Sequence, residues 1–140
     1  MNVEIDEPRV GALMTANPIV IDPDAPIETA EALLKTHRVT GLPVVAGGDL
    51  VGVVSQTDLV VAHSSAMIGA NWRRLRVRHV MSAPAVTVHA GATVRLAARE
   101  MVQRHIHRLV VIDDDGRPVG VVTPLDLLRS LVEAPGLDAA

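Results

Sequence analysis

The sequence predicts a mixed α/β (α+β) fold made of two copies of one β-α-β-β-α unit, and three observations carry that prediction. First, the run GVVSQTDLV at residues 52–60 returns as GVVTPLDLL at residues 120–128. Second, upstream of these runs a spacing of 67 residues pairs Met14 with Met81 and Leu34 with Met101. Third, apolar runs and helical periodicity follow the same order in both halves. A shared order of unlike elements indicates an internal duplication.

Each copy opens with a short extended piece, PIVI at residues 18–21 and AVTV at residues 85–88. An amphipathic helix follows, and Pro26 suits the first turn of the first helix while Thr93 can cap the second. The apolar positions that recur at helical spacing are Ile27, Ala30, Leu33 and Leu34 in one copy, and Val94, Ala97, Met101 and Val102 in the other.

Two apolar strands come next in each copy, separated by the turns GGD at 47–49 and DDDG at 113–116. A second helix closes each copy, from about Thr57 and from about Leu125. We therefore expect an N-terminal segment at 1–9, a first repeat at 10–66, a linker at 67–76, a second repeat at 77–132 and a flexible tail at 133–140. Because one unit of this size buries little surface, the two repeats are expected to pack on each other with pseudo-twofold symmetry.

Composition narrows the function classes. The 140 residues are 49 % hydrophobic, which suits a packed core, and no apolar run is long enough to span a bilayer. The absence of cysteine excludes disulfides and thiolate chemistry, and Trp72 is the only aromatic residue among Phe, Tyr and Trp. A formal net charge of −3 gives no general attraction to nucleic acid or anionic membrane. We expect a cytoplasmic protein with neither nucleic acid nor membrane as partner.

The duplicated motif G-x-x-[ST]-x-x-D allows two interpretations. In the structural one, Ser55 or Thr123 caps a helix, the carboxylate three residues later completes a capping box, and Pro124 takes the first helical position. In the functional one, the same helix start and hydroxyl receive a phosphate, while Asp58 or Asp126 accepts both hydrogens of a ribose diol. The two interpretations are compatible, and both stay open on the motif alone.

The motif written twice, the LPVV run at 42–45 and the β-α-β-β-α order together resemble a tandem pair of cystathionine-β-synthase (CBS) domains, often called a Bateman module. The resemblance covers about Val10 to Val132. It implies that Ser55 and Asp58 contact the phosphate and ribose in one nucleotide site, and Thr123 and Asp126 in the other. The implied ligands are AMP, ADP or ATP, bound with or without Mg, and no cofactor is required.

The run IHRLVVID at 106–113 is similar to segments of the γ subunit of AMP-activated protein kinase, in which a His-Arg pair contacts AMP phosphates. In this family each cleft combines the motif of one repeat with strand residues of the other. The resemblance thus implies that His107 and Arg108 serve the Ser55 and Asp58 cleft. The opposite cleft would receive the uncharged residues Val39, Thr40 and Gly41.

The charged pair leads us to predict tighter binding in the Ser55 and Asp58 cleft, since one charge-assisted hydrogen bond is worth roughly 1.5–3 kcal/mol. Arg108 also disfavours the positively charged S-adenosylmethionine, another ligand of the family. Aliphatic side chains such as Val39, Leu42 and Ile106 could hold an adenine base in place of aromatic stacking. The chain departs from the family pattern in two places: Val110 replaces the proline found at Pro43, and Thr40 with Gly41 replaces the basic pair.

Nothing else in the sequence points to a catalyst, and we expect no enzyme activity. His105 and His107 could form a metal pair if extended, but no third ligand is suitably spaced, so we expect no metal site. The basic run WRRLRVRH at 72–79 suggests a partner contact, or a solvated linker in which Trp72 fills a gap between helices. The sequence therefore predicts a regulatory adenine-nucleotide sensor that forms a homodimer and signals to an unknown protein partner. The alternative is a module with empty clefts that serves only in protein interaction.

Overall fold

A computed structural model of the chain describes residues 7–64 and 69–132. The predicted flexible tail at 133–140, the first six residues of the predicted N-terminal segment and residues 67 and 68 of the predicted linker lie outside the described residues. Within the described ranges, no helix combines the length and apolar character that a bilayer crossing requires.

Helices and strands alternate along the chain much as the duplication predicts, and the mixed helix and strand fold with two repeats is confirmed. The short helices α1 and α4 and the strand β1 were not predicted. The elements in chain order are α1 Val10–Leu13, β1 Thr15–Ala16, α2 Ile27–His37, β2 Gly41–Ala46, β3 Asp49–Ser55, α3 Gln56–Ser64, a 3₁₀ helix Gly69–Arg74, α4 Val77–Val80, β4 Thr87–His89, α5 Val94–Arg104, β5 Leu109–Ile112, β6 Pro118–Val122 and α6 Pro124–Val132.

The described residues form two compact units. The central unit runs from Pro18 to Ala85, and the terminal unit combines the chain up to Asn17 with the chain from Val86 onward. The opening segment of each predicted repeat therefore packs into the unit that holds the remainder of the other repeat. Helix α1 and strand β1 belong with the second repeat, and helix α4 belongs with the first.

The central unit is built on the antiparallel hairpin of β2 and β3, in which Gly41 lies opposite Ser55 and Val44 opposite Gly52. The extended piece PIVI adds a parallel bridge from Ile21 to Val44, as a first strand of the repeat should. Both turn glycines of the hairpin, at positions 47 and 48, have positive φ, which favours glycine there. The buried core of this unit is Ile21, Ile27, Ala30, Leu34, Leu42, Val44, Val54, Leu59 and Val77.

The terminal unit contains a four-stranded sheet in the order β1-β6-β5-β4. Strands β5 and β6 form the hairpin, β4 runs parallel to β5, and β1 pairs antiparallel with β6 through Thr15 opposite Val121. The four-residue helix α1 packs its fully buried Val10 into the core. That core is Val10, Val88, Ala97, Met101, Leu109, Val111, Val122 and Leu127.

The helix ends follow from their local sequences. The hydroxyl of Thr93 accepts a hydrogen bond from the Leu96 N–H at 3.2 Å, which confirms the predicted cap of α5. Helices α2 and α5 both end on a non-glycine residue in the left-handed region, Arg38 and His105, each with φ of 53°. The next residue in each case donates back to a carbonyl five residues earlier, as in a Schellman ending.

Candidate functional site

The duplicated motif of the central unit sits where strand β3 passes directly into helix α3. Ser55 is the last residue of the strand and is only 6 % exposed. The Ser55 N–H and hydroxyl both donate to Asp58 Oδ2, at 2.8 and 3.0 Å, and the Asp58 N–H donates to Ser55 Oγ at 3.2 Å. This reciprocal pairing is a capping box, which satisfies the unpaired donors at the start of α3.

The terminal unit repeats this arrangement at the junction of β6 and α6. The Thr123 N–H and hydroxyl donate to Asp126 Oδ2 at 2.9 and 3.1 Å, and the Asp126 N–H donates to Thr123 Oγ1 at 3.4 Å. Asp126 is buried, with 7 % of its surface exposed, and Pro124 opens the helix as the sequence predicts. The structural interpretation of both motifs is therefore confirmed.

The second oxygen of each carboxylate has a different neighbour in the two units. Asp58 Oδ1 accepts a hydrogen bond from Ser82 Oγ at 3.2 Å. Asp126 Oδ1 instead lies 4.0 Å from a guanidinium nitrogen of Arg129, one turn further along α6. The two motifs thus match at Oδ2, which accepts the capping bonds, and differ at Oδ1, which faces Ser82 in one unit and Arg129 in the other.

Each motif places a hydroxyl and a carboxylate at the N-terminus of a nine-residue helix. Such a helix end carries a partial positive charge from its aligned peptide dipoles, which favours a bound anion. A hydroxyl can donate to a phosphate, and a carboxylate can accept from sugar hydroxyls. The arrangement is chemically able to hold a phosphorylated ribose. Because the hydroxyl already donates to the carboxylate within each capping box, a ligand would compete with that bond.

The motif glycines are required by the packing of the chain itself. A Cβ built on Gly52 would lie 2.7 Å from the Ser82 carbonyl oxygen, and one on Gly120 would lie 2.9 Å from the Thr15 carbonyl oxygen. These carbonyls belong to the segments that cross from the other repeat. A glycine at each of these positions allows the crossing backbone to approach closely.

The other residues assigned to nucleotide binding lie in the loops after α2 and α5, except Gly41, which is the first residue of β2. Within the central unit, Gly41 pairs with Ser55 and the Thr40 carbonyl accepts from the Gln56 N–H at 2.9 Å, so this loop adjoins the motif of its own unit. Val39 is half-buried and packs on the central core. Sequence reasoning missed this adjacency, although the hairpin pattern of β2 and β3 implies it.

In the terminal unit, Ile106 packs on the core, His107 is exposed and Arg108 is half-buried. Leu109, the next residue, pairs with Val122 at the end of β6. Which of the two motifs each loop serves stays a prediction.

The basic segment at 72–79 is folded against the central unit. The Trp72 ring packs on the central core, and its centroid lies 4.1 Å from the ring centroid of His63 on α3. The guanidinium of Arg73 lies 5.6 Å from the Trp72 centroid. Trp72 thus fills space beside a helix, as one of the two interpretations expected. In the described ranges, no group of three or more His, Cys, Asp or Glu side chains could hold a metal ion.

Solved structures similar to this chain include three that contain adenine compounds. CBSX2 in complex with AMP is 30 % identical, with a TM-score of 0.78 over 89 % of this chain and 96 % of that one. The CBS domain pair of protein MJ0100, with 5′-methylthioadenosine and S-adenosyl-L-methionine, is 27 % identical with the same TM-score and the same coverage. The CBS domain of a bacterial CNNM/CorC family Mg²⁺ transporter with ATP is 25 % identical, with a TM-score of 0.75 over 89 % of this chain and 87 % of that one.

Among characterised relatives, inosine-5′-monophosphate dehydrogenase of Korarchaeum cryptofilum is 28 % identical over 119 residues. The match covers 85 % of this chain and 23 % of the dehydrogenase, so this chain spans less than a quarter of that relative's length.

The profile of the CBS domain matches twice, over residues 10–65 and 77–133. These two matches cover most of the chain and coincide with the two copies of the duplicated motif. The chain therefore belongs to the CBS domain family, as a tandem pair of CBS domains of the kind called a Bateman module.

Proposed function

We propose that this chain is a regulatory module that binds AMP, ADP or ATP and signals the bound state to a protein partner. The observation that carries the proposal is the matched hydroxyl and carboxylate at the start of α3 and of α6. Support also comes from the solved relatives, since CBSX2 contains AMP and the CNNM/CorC domain contains ATP. A ligand that binds one conformation better than another shifts the population between them, which a partner can then read.

In this proposal, Ser55 and Thr123 donate to a phosphate, while Asp58 and Asp126 accept from ribose hydroxyls. The near-complete burial of Ser55 and Asp126 supports these roles, because hydrogen bonds and charges act more strongly away from water. Both carboxylates are held by backbone and hydroxyl donors, which keeps them oriented before a ligand arrives.

We assign phosphate contacts to His107 and Arg108, and contacts with the adenine or sugar to Val39, Thr40, Gly41 and Ile106. These assignments rest on the family resemblance. The resemblance gives the basic pair to the same nucleotide as Ser55 and Asp58, so that nucleotide should be the more tightly held. We expect Asp58→Ala to weaken the tighter of two binding events and Asp126→Ala the weaker one. Equal losses in the two variants would contradict this ranking.

A protein-interaction module without ligand is the second candidate, and one observation favours it. The capping boxes already satisfy the hydroxyl and one carboxylate oxygen of each motif, so neither motif needs a ligand in order to be stable. Both candidates are compatible with a homodimer. The exposed apolar side chains of α6 support such a dimer, and they are Leu125, Leu128, Leu131 and Val132.

Isothermal titration and thermal unfolding with AMP, ADP, ATP, NAD and S-adenosylmethionine separate the two candidates. A ligand at 100 times its dissociation constant should add about 2.7 kcal/mol to the free energy of unfolding. Each titration of ATP is repeated with Mg²⁺ to test for a magnesium requirement. Asp24→Ala is the matched control, because Asp24 is an exposed carboxylate of the central unit paired with Arg78 and remote in sequence from the motif. Absence of a shift with every nucleotide at millimolar concentration would favour the interaction module.

A further inference from the structure

The hydrogen bond from Ser82 Oγ to Asp58 Oδ1 is a polar contact of the motif carboxylate that the capping box does not explain. Ser82 lies 24 residues beyond Asp58, in the segment that follows α4. We propose that the Ser82 hydroxyl occupies the place of one ribose hydroxyl on Asp58, and that it must turn away before a nucleotide can bind through both hydroxyls. This inference rests on the proposed function and adds a built-in competitor to one of its two sites.

The competition follows from counting acceptor positions. An ionised carboxylate offers about four lone-pair positions, two on each oxygen. Oδ2 of Asp58 already receives the N–H and the hydroxyl of Ser55, and Oδ1 receives the hydroxyl of Ser82. About one position therefore remains on this carboxylate. A ribose cis-diol that donates both of its hydrogens needs two.

Ser82 can release Asp58 without disturbing the fold. Its backbone is fixed, because its N–H donates to the Val53 carbonyl at 2.8 Å and its carbonyl accepts from the Val53 N–H at 2.9 Å. Its side chain is exposed, so rotation about χ1 carries the hydroxyl into water while the backbone bonds stay in place. The motif can therefore exchange the serine hydroxyl for a ribose hydroxyl as a local event.

The terminal unit provides an internal comparison. Thr15 faces Val121 in β6 as Ser82 faces Val53 in β3, and both residues carry a hydroxyl. Within residues 7–64 and 69–132, however, no hydrogen bond joins Thr15 to Asp126. Asp126 Oδ1 lies instead within 4.0 Å of Arg129, at a position that the first repeat fills with Val61. The competitor thus belongs to the Asp58 motif alone.

The Ser82 hydroxyl should therefore affect the affinity of the Asp58 motif for a ribose nucleotide and not its affinity for a 2′-deoxyribose nucleotide. AMP must displace Ser82 to use both hydroxyls, whereas 2′-deoxy-AMP has one hydroxyl and can use the vacant position. Removing the Ser82 hydroxyl should raise the affinity for AMP roughly two- to tenfold, the range expected for one net hydrogen bond. The affinity for 2′-deoxy-AMP should stay the same.

The test uses calorimetric titration of AMP and 2′-deoxy-AMP into full chains that carry Asp126→Ala, so that the Asp58 motif alone binds ribose. Asp126→Asn replaces that substitution if the alanine chain does not fold. Adding Ser82→Ala should increase the ratio of the AMP affinity to the 2′-deoxy-AMP affinity. Ser82→Thr keeps the hydroxyl and should leave this ratio unchanged. The matched control is Thr15→Ala in a chain carrying Asp58→Ala, where the ratio should not change.

If Ser82→Ala leaves the ratio of the AMP affinity to the 2′-deoxy-AMP affinity unchanged or lowers it, this inference is overturned and the proposed function stands. Equal changes of the ratio in Ser82→Ala and Thr15→Ala also overturn it, because the effect would not be specific to Asp58. Absence of AMP binding by the wild-type chain overturns the proposed function and this inference together.

Discussion

Replacing Asp126 by alanine should destabilise the terminal unit even when no nucleotide is present. The carboxylate accepts from the Thr123 N–H at 2.9 Å and from the Thr123 hydroxyl at 3.1 Å, in a buried position. An alanine removes the oxygen that accepts both bonds and leaves the N–H of Thr123 without this partner. Loss of a helix cap costs about 0.5–2 kcal/mol and a buried unsatisfied donor about 1–3 kcal/mol. These two descriptions of one loss overlap, so we expect about 1–2 kcal/mol.

Urea denaturation followed by far-ultraviolet circular dichroism measures this loss. With a denaturant slope of about 2 kcal/mol per molar, the midpoint should fall by about 0.5–1 M. Asp126→Asn keeps one acceptor for the Thr123 N–H and should lose less. Asp114→Ala is the control, because this carboxylate is exposed and its ion pair in the described part of the chain is with the half-exposed His89. A midpoint for Asp126→Ala equal to that of the wild type would refute the view that the capping box stabilises the unit.

Three further outcomes are expected. Gly52→Ala places a Cβ 2.7 Å from the Ser82 carbonyl oxygen and should lower the free energy of unfolding by about 1–3 kcal/mol. The urea midpoint measures this loss, and an unchanged midpoint would show that the crossing segment shifts at little cost. Leu109→Ala truncates a side chain that is 0 % exposed and should lower the free energy of unfolding by about 2–5 kcal/mol. A smaller loss than that of Leu96→Ala, at an exposed position, would contradict the assigned core. Leu128→Glu puts a charge on the exposed face of α6 and should shift a dimer to monomer in light scattering, whereas Glu28→Gln on α2 should not.

Local chemistry in the sequence was sufficient to predict the repeated elements. Thr93 and Pro124 mark helix starts by hydrogen bonding and by a fixed φ, which act within one turn of the chain. The hairpins follow from apolar runs around glycine-containing turns. The capping interaction of Ser55 with Asp58 spans three residues, so its spacing alone predicts it.

Contacts between distant segments could not be predicted in the same way. The segments containing α1 and α4 carry similar apolar patterns, and nothing in their periodicity says which repeat each one joins. The bond from Ser82 to Asp58 depends on that choice, because only the crossing segment brings the serine hydroxyl to the carboxylate. The one available signal was the hydroxyl that Thr15 and Ser82 share at a spacing of 67 residues.

The crossing of segments also sets an order in which the protein can be completed during synthesis. The central unit is a continuous stretch from Pro18 to Ala85, so all of it is translated before any of the strands β4, β5 and β6. The terminal unit joins β1 to β6 across more than one hundred residues, and this strand pairing must wait until nearly all of the described chain has been translated. Until then, the apolar side of α1 has no core to enter, and the early chain must stay free of aggregation with Val10 exposed.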